Sequence, residues 1–293
     1  MKIHLFVSGD RGIKVFETLV KEGYKIEKVY FPKDNLYFKK NSTISIPNEL
    51  LTYVNKEKLN KLFKKHKLKP DLFVVAGFPL ILTKDIFDFP KYGTINLHAG
   101  AVPKYRGGSP LNWQMIEGEK KAGISILKMN SGLDTGPILE RAFINIKKNT
   151  TIKDLHEEAN TLFPKLLLKV IKNIVSNNIK LKRQNNKLAI YWHQRSDKDG
   201  KIDFRIMGSK KIDLFVRALT KPYPGAWTEH KGKRLRIFRV KALDRVIKGT
   251  VGRICWIEGL GPLVICNDKA ICLVNYSYDN GRIPLLKNND FLK

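Results

Sequence analysis

The sequence predicts an α/β protein that consists of a doubly wound domain and a smaller β-barrel. Up to about residue 140, short apolar runs alternate with amphipathic stretches, as in a sheet covered by helices on both faces. Residues 71–77 form a continuous apolar run, which is typical of a buried parallel strand. Beyond residue 203, short apolar runs are separated by Gly, Asn and Asp, as in a small barrel. We therefore expect a first domain over residues 1–185, a linker over 186–204 and a barrel domain over 205–293.

Hydrophobic spacing and helix-end signals define the elements of the first domain. The predicted elements, in chain order, are strand 2–8, a helix ended by Gly23, strand 26–31, helix 55–67, strand 71–77, strand 94–97, a helix from Pro110, strand 124–129 and a long helix from Thr150 or Thr151. The apolar face of the first helix comprises Ile13, Phe16, Leu19 and Val20. Ser109 before Pro110 predicts a side-chain cap with proline in the first turn. Asp154 predicts a capping box at the start of the long helix.

The second domain is predicted from its short β-like runs. A helix over 209–220 is followed by Pro222-Tyr-Pro-Gly225, which interrupts regular structure. The runs beyond this break are residues 234–240, 249–257, 263–266 and 271–276. All three cysteines, Cys255, Cys266 and Cys272, lie in this part of the chain. Their spacing matches neither a zinc motif nor a disulfide framework, so we expect them to be core thiols.

The bulk composition favours a soluble, cytoplasmic enzyme with no membrane partner. The 293 residues are 43% hydrophobic and 28% charged, without a secretory signal pattern or an apolar run that could span a bilayer. The formal net charge of +28 has two interpretations. It indicates either a polyanionic partner, such as nucleic acid or a sugar-nucleotide diphosphate, or a general bias towards lysine. Lysines far outnumber arginines and are spread over nearly every predicted helix, which favours the bias.

The residues that can carry chemistry are concentrated in residues 94–139. A strand carries Asn96 and His98 two positions apart, so both side chains leave it on one face, and a tight turn presents the carboxylate of Asp134. Open α/β sheets form their active sites at such strand ends. An Asn amide can hold an oxyanion, a His can exchange a proton near neutral pH, and an Asp can stabilise the charged imidazole. The stretch has no Ser or Cys nucleophile and no set of metal ligands, so the trio suits direct acyl-type transfer to an amine.

Each of the three residues also has a purely structural interpretation. His98 can be a hydrogen-bonded core histidine, Asn96 a turn residue, and Asp134 the former of an Asx turn. The residue chemistry alone leaves these alternatives open.

A set of motifs, dense over some 45 residues, resembles the formyltransferase family. The motifs are Asn96-Leu-His98, Pro103-Lys-Tyr-Arg106-Gly107, Ser109-Pro-Leu-Asn-Trp113, Gly118-Glu119, Gly123-Ile-Ser and Leu133-Asp134-Thr-Gly136. The resemblance implies a Rossmann-like formyltransferase domain, an OB-like C-terminal barrel, 10-formyltetrahydrofolate as co-substrate and the catalytic trio named above. It also implies a pterin pocket lined by Leu80, Ile81, Leu82, Asn130, Ser131, Gly132 and Leu133. One departure is Gly100-Ala-Val-Pro103, where many relatives have Ser-Leu-Leu-Pro, and we expect it to leave the trio untouched.

Three branches of the family differ in the acceptor of the formyl group. The small purine-pathway enzyme, glycinamide ribonucleotide formyltransferase, resembles only the first two-thirds of the chain. The sugar-nucleotide N-formyltransferases, including the formyltransferase half of the lipid A aminoarabinose-modifying enzyme, are similar in the motif around Tyr105 and Arg106 and in the linker around Arg195. This resemblance implies the amine of a nucleotide-linked amino sugar as acceptor. Tyr105 and Arg106 are then candidate acceptor contacts, although Arg106 can instead brace its loop.

Methionyl-tRNA formyltransferase, which acts on initiator Met-tRNA, is the alternative branch. A basic cluster in the barrel favours RNA, whereas residues 31–41 lack the Arg/Gly/Lys-rich insertion expected to grip an acceptor stem. The cluster comprises Lys231, Lys233, Arg234, Arg236, Arg239 and Lys241. An alternative of another class is a catalytically idle protein that binds folate or nucleic acid. The sequence does not determine the oligomeric state, and a homodimer is one of the states that it allows.

Overall fold

A computed structural model describes residues 1–33, 46–64 and 70–293. Most of the loop predicted to lack the tRNA insertion and the end of predicted helix 55–67 lie outside these residues. The chain forms two compact units that interleave along the sequence. Unit 1 comprises Met1–Gly107, Gly123–Ile144 and Glu157–Trp192, and unit 2 comprises Gly108–Ala122, Asn145–His156 and His193–Lys293. The contiguous domain boundaries expected near residues 185 and 204 stay a prediction.

A seven-stranded sheet forms the centre of the first part of the chain. Its strands are β1 (Lys2–Val7), β2 (Lys25–Pro32), β3 (Leu51–Val54), β4 (Leu72–Ala76), β5 (Thr94–His98), β7 (Lys121–Lys128) and β8 (Ile138–Asn145), in the order β3-β2-β1-β4-β5-β7-β8. The strands from β3 to β5 pair in parallel, and β7 runs antiparallel to β5. Two short strands, β6 (Arg106–Gly107) and β9 (Tyr191–Trp192), form a separate parallel pair in unit 1.

Five of the six α-helices in the described residues match predicted positions, and the short helix at Lys84–Phe87 was not predicted. They are α1 (Gly9–Lys21), α2 (Lys56–Lys64), α3 (Lys84–Phe87), α4 (Pro110–Ile116), α5 (Ile152–Val175) and α6 (Ser209–Leu219). None of the described helices is both long and apolar enough to cross a bilayer. The capping box of α5 is confirmed, since the Thr151 backbone N–H donates to Asp154 Oδ2 over 2.7 Å and the Asp154 N–H to Thr151 Oγ1 over 3.4 Å. The helix continues through Pro164.

Two local predictions were wrong. Ser109 precedes α4 with φ of +47° and makes no side-chain cap, because its Oγ accepts a hydrogen bond from the Arg195 backbone N–H over 3.1 Å. In α1, Ile13, Phe16 and Leu19 are buried as expected, but Val20 is 49% exposed and Val15 is buried in its place. The buried face of α1 therefore starts one position nearer its N-terminus than the spacing suggested.

The second part of the chain contains a five-stranded sheet. Its strands are β10 (Ala226–His230), β11 (Lys233–Ala242), β12 (Ile254–Ile257), β13 (Gly261–Ile265) and β14 (Ala270–Tyr278), in the order β10-β11-β14-β13-β12. All pairings in this sheet are antiparallel. Phe291 bridges to Arg253 and Leu292 to His230, so the C-terminal residues connect the two edges of the sheet. The expected class, an α/β domain with a small antiparallel β domain, is confirmed.

Sequence analysis missed β10, which follows directly on the predicted break and pairs with β11 through a two-residue turn. The cysteines are free thiols: Cys266 and Cys272 are buried and Cys255 is half-buried. Burial raises the pKa of the Cys266 thiol to about 12, and Asp268 adds to the effect. The expected core role is therefore confirmed for Cys266 and Cys272.

Candidate active site

Asn96 and His98 lie on the last strand of the parallel part of the sheet, and the turn after β7 brings Asp134 to them. Asn96 Nδ2 donates to Asp134 Oδ1 over 3.4 Å, and His98 Nδ1 lies 3.5 Å from Asp134 Oδ2. The side chains of His98 and Asp134 are only 7% and 9% exposed. The three predicted residues thus form one cluster that is centred on the carboxylate.

The protonation pattern of His98 follows from its second nitrogen. Nε2 lies 2.7 Å from the Tyr105 carbonyl oxygen. Because a carbonyl oxygen can only accept, Nε2 carries a proton, and the lone pair of the neutral ring is on Nδ1, the nitrogen that faces Asp134. A proton taken up at Nδ1 is therefore held between the imidazole and a carboxylate.

Gly100 packs directly against the His98 ring. A Cβ at this position would lie 2.4 Å from His98 Nε2 and 2.3 Å from the Tyr105 carbonyl oxygen. The Gly100 carbonyl in turn accepts a hydrogen bond from Ser125 Oγ over 2.8 Å. Gly100, the first residue of the departure at residues 100–103, therefore lies directly against the trio, and the expectation that the departure leaves the trio untouched stays a prediction. The loop folds back on itself, so glycine permits the bond that orients the ring.

The turn that carries Asp134 is held tightly. Asp134 has φ of +52°, a left-handed conformation that costs a residue with a side chain roughly 1–2 kcal/mol. The Gly107 backbone N–H donates to Asp134 Oδ2 over 2.8 Å. A Cβ on Gly136 would lie 1.7 Å from the Lys128 carbonyl oxygen, so the end of the turn packs against β7 without room for a side chain. The carboxylate is therefore anchored by a backbone donor in addition to its two trio neighbours.

Tyr105 and Arg106, predicted to contact the acceptor, both lie inside the chain, where each is 1% exposed. The Tyr105 ring stacks on Trp192 with centroids 5.7 Å apart and an interplanar angle of 12°. The Arg106 guanidinium donates to Gln184, Asn186 and Tyr191. Of the two interpretations of Arg106, these bonds favour the loop brace. Both side chains are buried in this structure, and the prediction that they contact the acceptor stays a prediction.

The residues predicted to line a pterin pocket lie in two segments, one that contributes to a hydrophobic cluster and one that directly follows Met129, which packs against that cluster. Leu82 is 4% exposed and belongs to the cluster around Phe6, and both Leu80 and Met129 pack against it. Ile81, in contrast, is 82% exposed. In the second segment, the exposed residues Asn130, Ser131, Gly132 and Leu133 form a turn. Asn130 Oδ1 closes this turn by accepting from Thr135 Oγ1 over 2.7 Å and from the Gly132 N–H over 3.3 Å.

A cavity of about 30 Å³ lies between the trio and this turn, lined by Asn96 and Asp134 among others. A larger cleft, of about 480 Å³, lies between β8 and the end of α5 and is not lined by the trio. The candidate site is therefore defined by its reactive groups and not by cavity size. Within the described ranges, no three His, Cys, Asp or Glu side chains group as ligands of one metal ion.

Sequence reasoning missed Gln184, whose side-chain amide contacts the Asp134 turn. Gln184 Nε2 donates to the carbonyl oxygens of Asp134 and Gly136 over 2.8 and 2.6 Å. These partners lie 50 and 48 residues away along the chain, so no local motif could have indicated the contact.

The comparisons with known proteins agree with this geometry. A model of the formyl transferase family matches residues 15–171, and a model of the formyl transferase C-terminal domain matches residues 195–287. The methionyl-tRNA formyltransferase of Clostridium botulinum is 35% identical over 228 residues, which cover 78% of this chain and 72% of the relative. The bifunctional polymyxin resistance protein ArnA of Wigglesworthia glossinidia brevipalpis is 32% identical over 296 residues, which cover 98% of this chain and 44% of the relative.

Among solved structures, the N-formyltransferase from Helicobacter canadensis in complex with folinic acid and dTDP-3-aminofucose has a TM-score of 0.69 at 20% identity. The match covers 93% of this chain and 98% of that one, and it shows a shared fold. The protein described here is a formyltransferase: the chain belongs to the formyl transferase family. The resemblance inferred from its motifs is confirmed.

Proposed function

We propose that this formyltransferase moves a formyl group from 10-formyltetrahydrofolate to the amine of a nucleotide-linked amino sugar. Two similarities support this proposal. The Helicobacter canadensis enzyme, which shares the fold, was solved with a folate and an amino-sugar nucleotide. The match to the ArnA protein extends over 98% of this chain, so both parts of the chain have counterparts there.

The residues near the trio fit a folate. Leu80 and Met129, which are partly buried, provide apolar surface over the buried Leu82, and the turn at residues 130–133 adds backbone amides and carbonyls beside it. A flat heteroaromatic ring with polar edges requires this combination of an apolar wall and main-chain hydrogen-bonding groups. We assign these segments to the pterin ring, as the family resemblance implies.

The trio can perform the transfer without a covalent enzyme intermediate. The folate supplies the formyl group, on its N10 nitrogen. Asn96 has two amide hydrogens, of which one is directed at Asp134, so the other can donate to the formyl oxygen as it gains negative charge. His98 Nδ1 takes the proton that the amine loses when its nitrogen bonds to the formyl carbon. His98 then returns that proton to N10 as the old carbon–nitrogen bond breaks. Asp134 stabilises the imidazolium between the two transfers.

The choice of a sugar nucleotide over tRNA rests on the charges of the basic cluster at β11. Lys231 pairs with Asp290 over 2.7 Å, and Arg234 pairs with Asp197 over 2.7 Å. Arg236, 8% exposed, pairs with both Asp197 and Asp279. Three of the six basic residues are therefore neutralised by carboxylates of the same unit, which weakens the cluster as a phosphate-binding surface.

Methionyl-tRNA formyltransferase is the second candidate, and the 35% identity to the Clostridium botulinum enzyme favours it. This candidate requires a surface that grips polyanionic RNA. Within the basic cluster, RNA binding would fall to the exposed residues Lys233, Arg239 and Lys241. The two candidates share the donor, the trio and the mechanism, and differ only in the acceptor.

The deciding experiment measures tetrahydrofolate release from 10-formyltetrahydrofolate with a panel of UDP-, GDP- and dTDP-linked amino sugars and, in parallel, initiator Met-tRNA. We expect turnover with an amino sugar and none with tRNA. The triple variant Lys233→Glu/Arg239→Glu/Lys241→Glu serves as a control and should leave sugar turnover unchanged. Turnover with Met-tRNA alone, lost in the triple variant, would overturn the sugar assignment.

The roles of the trio are tested in the same assay. His98→Ala and Asp134→Ala should each abolish turnover with whichever acceptor is used, while the circular dichroism spectrum stays that of the folded protein. Near-normal rates in either variant would refute the role assignment.

A further inference from the structure

Residues 182–192, which we call the strap, run past both loops that carry the candidate catalytic groups. At its start, Lys182 exchanges backbone hydrogen bonds with Ile138 over 2.8 and 2.9 Å. At its end, β9 pairs with β6, and Trp192 Nε1 donates to the Lys104 carbonyl oxygen over 3.0 Å. The strap is therefore fixed to the Asp134 side of the site at one end and to the His98 side at the other, all within unit 1.

Gln184 is the residue of the strap that contacts the Asp134 turn. Its Nε2 donates to the carbonyl oxygens on either side of Thr135, those of Asp134 and Gly136. Asp134 is in a left-handed conformation, so these two bonds hold the turn in a shape that its backbone does not prefer. The Gln184 amide thus acts on the backbone of the residue whose carboxylate faces His98.

The other end of the same amide contacts Arg106. Gln184 Oε1 accepts from Arg106 Nε over 3.1 Å and from Nη2 over 2.8 Å, a two-pronged contact. Because the oxygen of an amide only accepts and its nitrogen only donates, both sets of partners fix the same orientation of Gln184. Arg106 is 1% exposed, and its remaining bonds go to Asn186 Oδ1 and the Tyr191 hydroxyl.

Arg106 lies between the two residues whose backbones hold the trio. Its predecessor, Tyr105, provides the carbonyl oxygen that orients His98, and its successor, Gly107, provides the N–H that binds Asp134 Oδ2. A shift of Arg106 therefore moves both contacts. Gln184 connects Arg106 to the Asp134 turn, so a single amide couples the positions of Asp134 and His98.

We propose that Gln184, held by Arg106, is a positioning residue for formyl transfer: it sets the separation of Asp134 and His98 on which proton transfer depends. Gln184 acts through its hydrogen bonds to Arg106 and to the carbonyl oxygens of Asp134 and Gly136, and not on the reacting atoms themselves. The proposal rests on the trio assignment made under the proposed function.

The test compares Gln184→Glu with Gln184→Met. Glutamate keeps an acceptor for Arg106 and gains an ion pair with it, but it presents a carboxylate to two carbonyl oxygens and loses both donated bonds. We expect Gln184→Glu to stay folded at the assay temperature and to lower kcat per folded molecule on the order of tenfold to a hundredfold, as for small misplacements of catalytic groups. If Gln184 only stabilised the fold, the melting temperature would fall, whereas kcat per folded molecule would stay at the wild-type value.

Asn185→Ala is the matched control. Asn185 lies in the same strap and caps its 3-10 turn by accepting from the Lys187 N–H over 3.0 Å, but this bond does not involve either catalytic loop. We expect kcat of this variant to stay at the wild-type value. Gln184→Met, which retains neither polar contact, is the second variant. It should also lose activity, and it provides the test if Gln184→Glu does not fold.

A readout that needs no turnover separates this proposal from the proposed function. The ¹⁵N shifts of the His98 ring report which nitrogen is protonated, and we expect Gln184→Glu and Gln184→Met to change the Nδ1 resonance. Unchanged His98 resonances together with wild-type kcat in a folded Gln184 variant would overturn the positioning role. If Asp134→Ala retained turnover, the trio assignment would fall, and the His98 resonances alone would decide whether Gln184 positions the pair.

Discussion

Gly100 offers the sharpest test of how the His98 ring is oriented. In Gly100→Ala, the added Cβ would lie 2.4 Å from His98 Nε2 and 2.3 Å from the Tyr105 carbonyl oxygen. Ordinary contacts begin at 3.4 Å, so the two atoms must each retreat by about 1 Å. Both atoms belong to the 2.7 Å hydrogen bond that fixes the tautomer and direction of the ring. The methyl group therefore cannot be accommodated without displacing His98 or its acceptor.

The structure gives a magnitude for both activity and stability. Displacing a catalytic group by about 1 Å costs on the order of a hundredfold in rate, so we expect kcat to fall by about that factor. Overpacking of a tight interior site costs about 1–3 kcal/mol of unfolding free energy. Activity should therefore fall much further than the loss of folded protein explains.

Gly12→Ala is the control for crowding alone. A Cβ on Gly12 would lie 2.4 Å from the Val7 Cβ, a clash of the same size that involves only the Val7 side chain. The assay measures tetrahydrofolate release per folded molecule, with unfolding followed by circular dichroism. We expect Gly12→Ala to lose stability and keep kcat within about twofold. A folded Gly100→Ala enzyme with kcat within about twofold of the wild type would refute the argument that glycine here orients His98.

Two further predictions concern stability and thiol chemistry. The pKa of Asp290 is about 2, below its ordinary value of 3.8. Burial raises this pKa, but the combined lowering by Lys231, the Lys287 N–H and His230 is larger. A lowered carboxyl pKa stabilises the fold above the ordinary value, and this contribution is lost as pH falls from about 4 towards 2. Melting temperatures should thus fall less steeply with acid in Asp290→Asn than in the wild type, and equal slopes would contradict the assignment. Because burial holds the Cys266 thiol pKa near 12, iodoacetamide at pH 8 should alkylate Cys266 only after unfolding, as followed by mass spectrometry.

The parts of the site that lie close together in sequence could be predicted from the sequence. Asn96 and His98 are two residues apart on one strand, and period-two alternation alone places them on one face. The turn that presents Asp134 is marked by its own glycines, and the strand predicted at residues 124–129, observed as β7, leads directly into it. Local rules of this kind need no knowledge of distant contacts, and the structure places all three residues together.

The structural roles of Tyr105 and Arg106 could not be predicted from the sequence by such local rules. Sequence shows an aromatic and a cationic side chain in a loop near the trio, which is also what an acceptor site needs. The difference between contacting a substrate and bracing a loop lies in partners that are 78 to 85 residues away, namely Gln184, Asn186 and Tyr191. No spacing rule connects such positions, because the strap follows a helix of 24 residues that the motif does not specify.

The carboxylate of Asp134 shows why the motif and the strap must act together. Asn96 and His98 determine the chemical role of this carboxylate. Asn96 Nδ2 and His98 Nδ1 lie 3.4 and 3.5 Å from its oxygens, however, at and beyond the outer limit of a hydrogen bond. The shorter contacts to this residue come from the Gly107 N–H and the Gln184 amide, at 2.8 Å each. The chemistry is therefore specified by residues 94–136, whereas the distances over which it operates are set largely by Arg106 and the strap. Substitutions of Gln184 should consequently change the rate of transfer although every residue of the motif itself is retained.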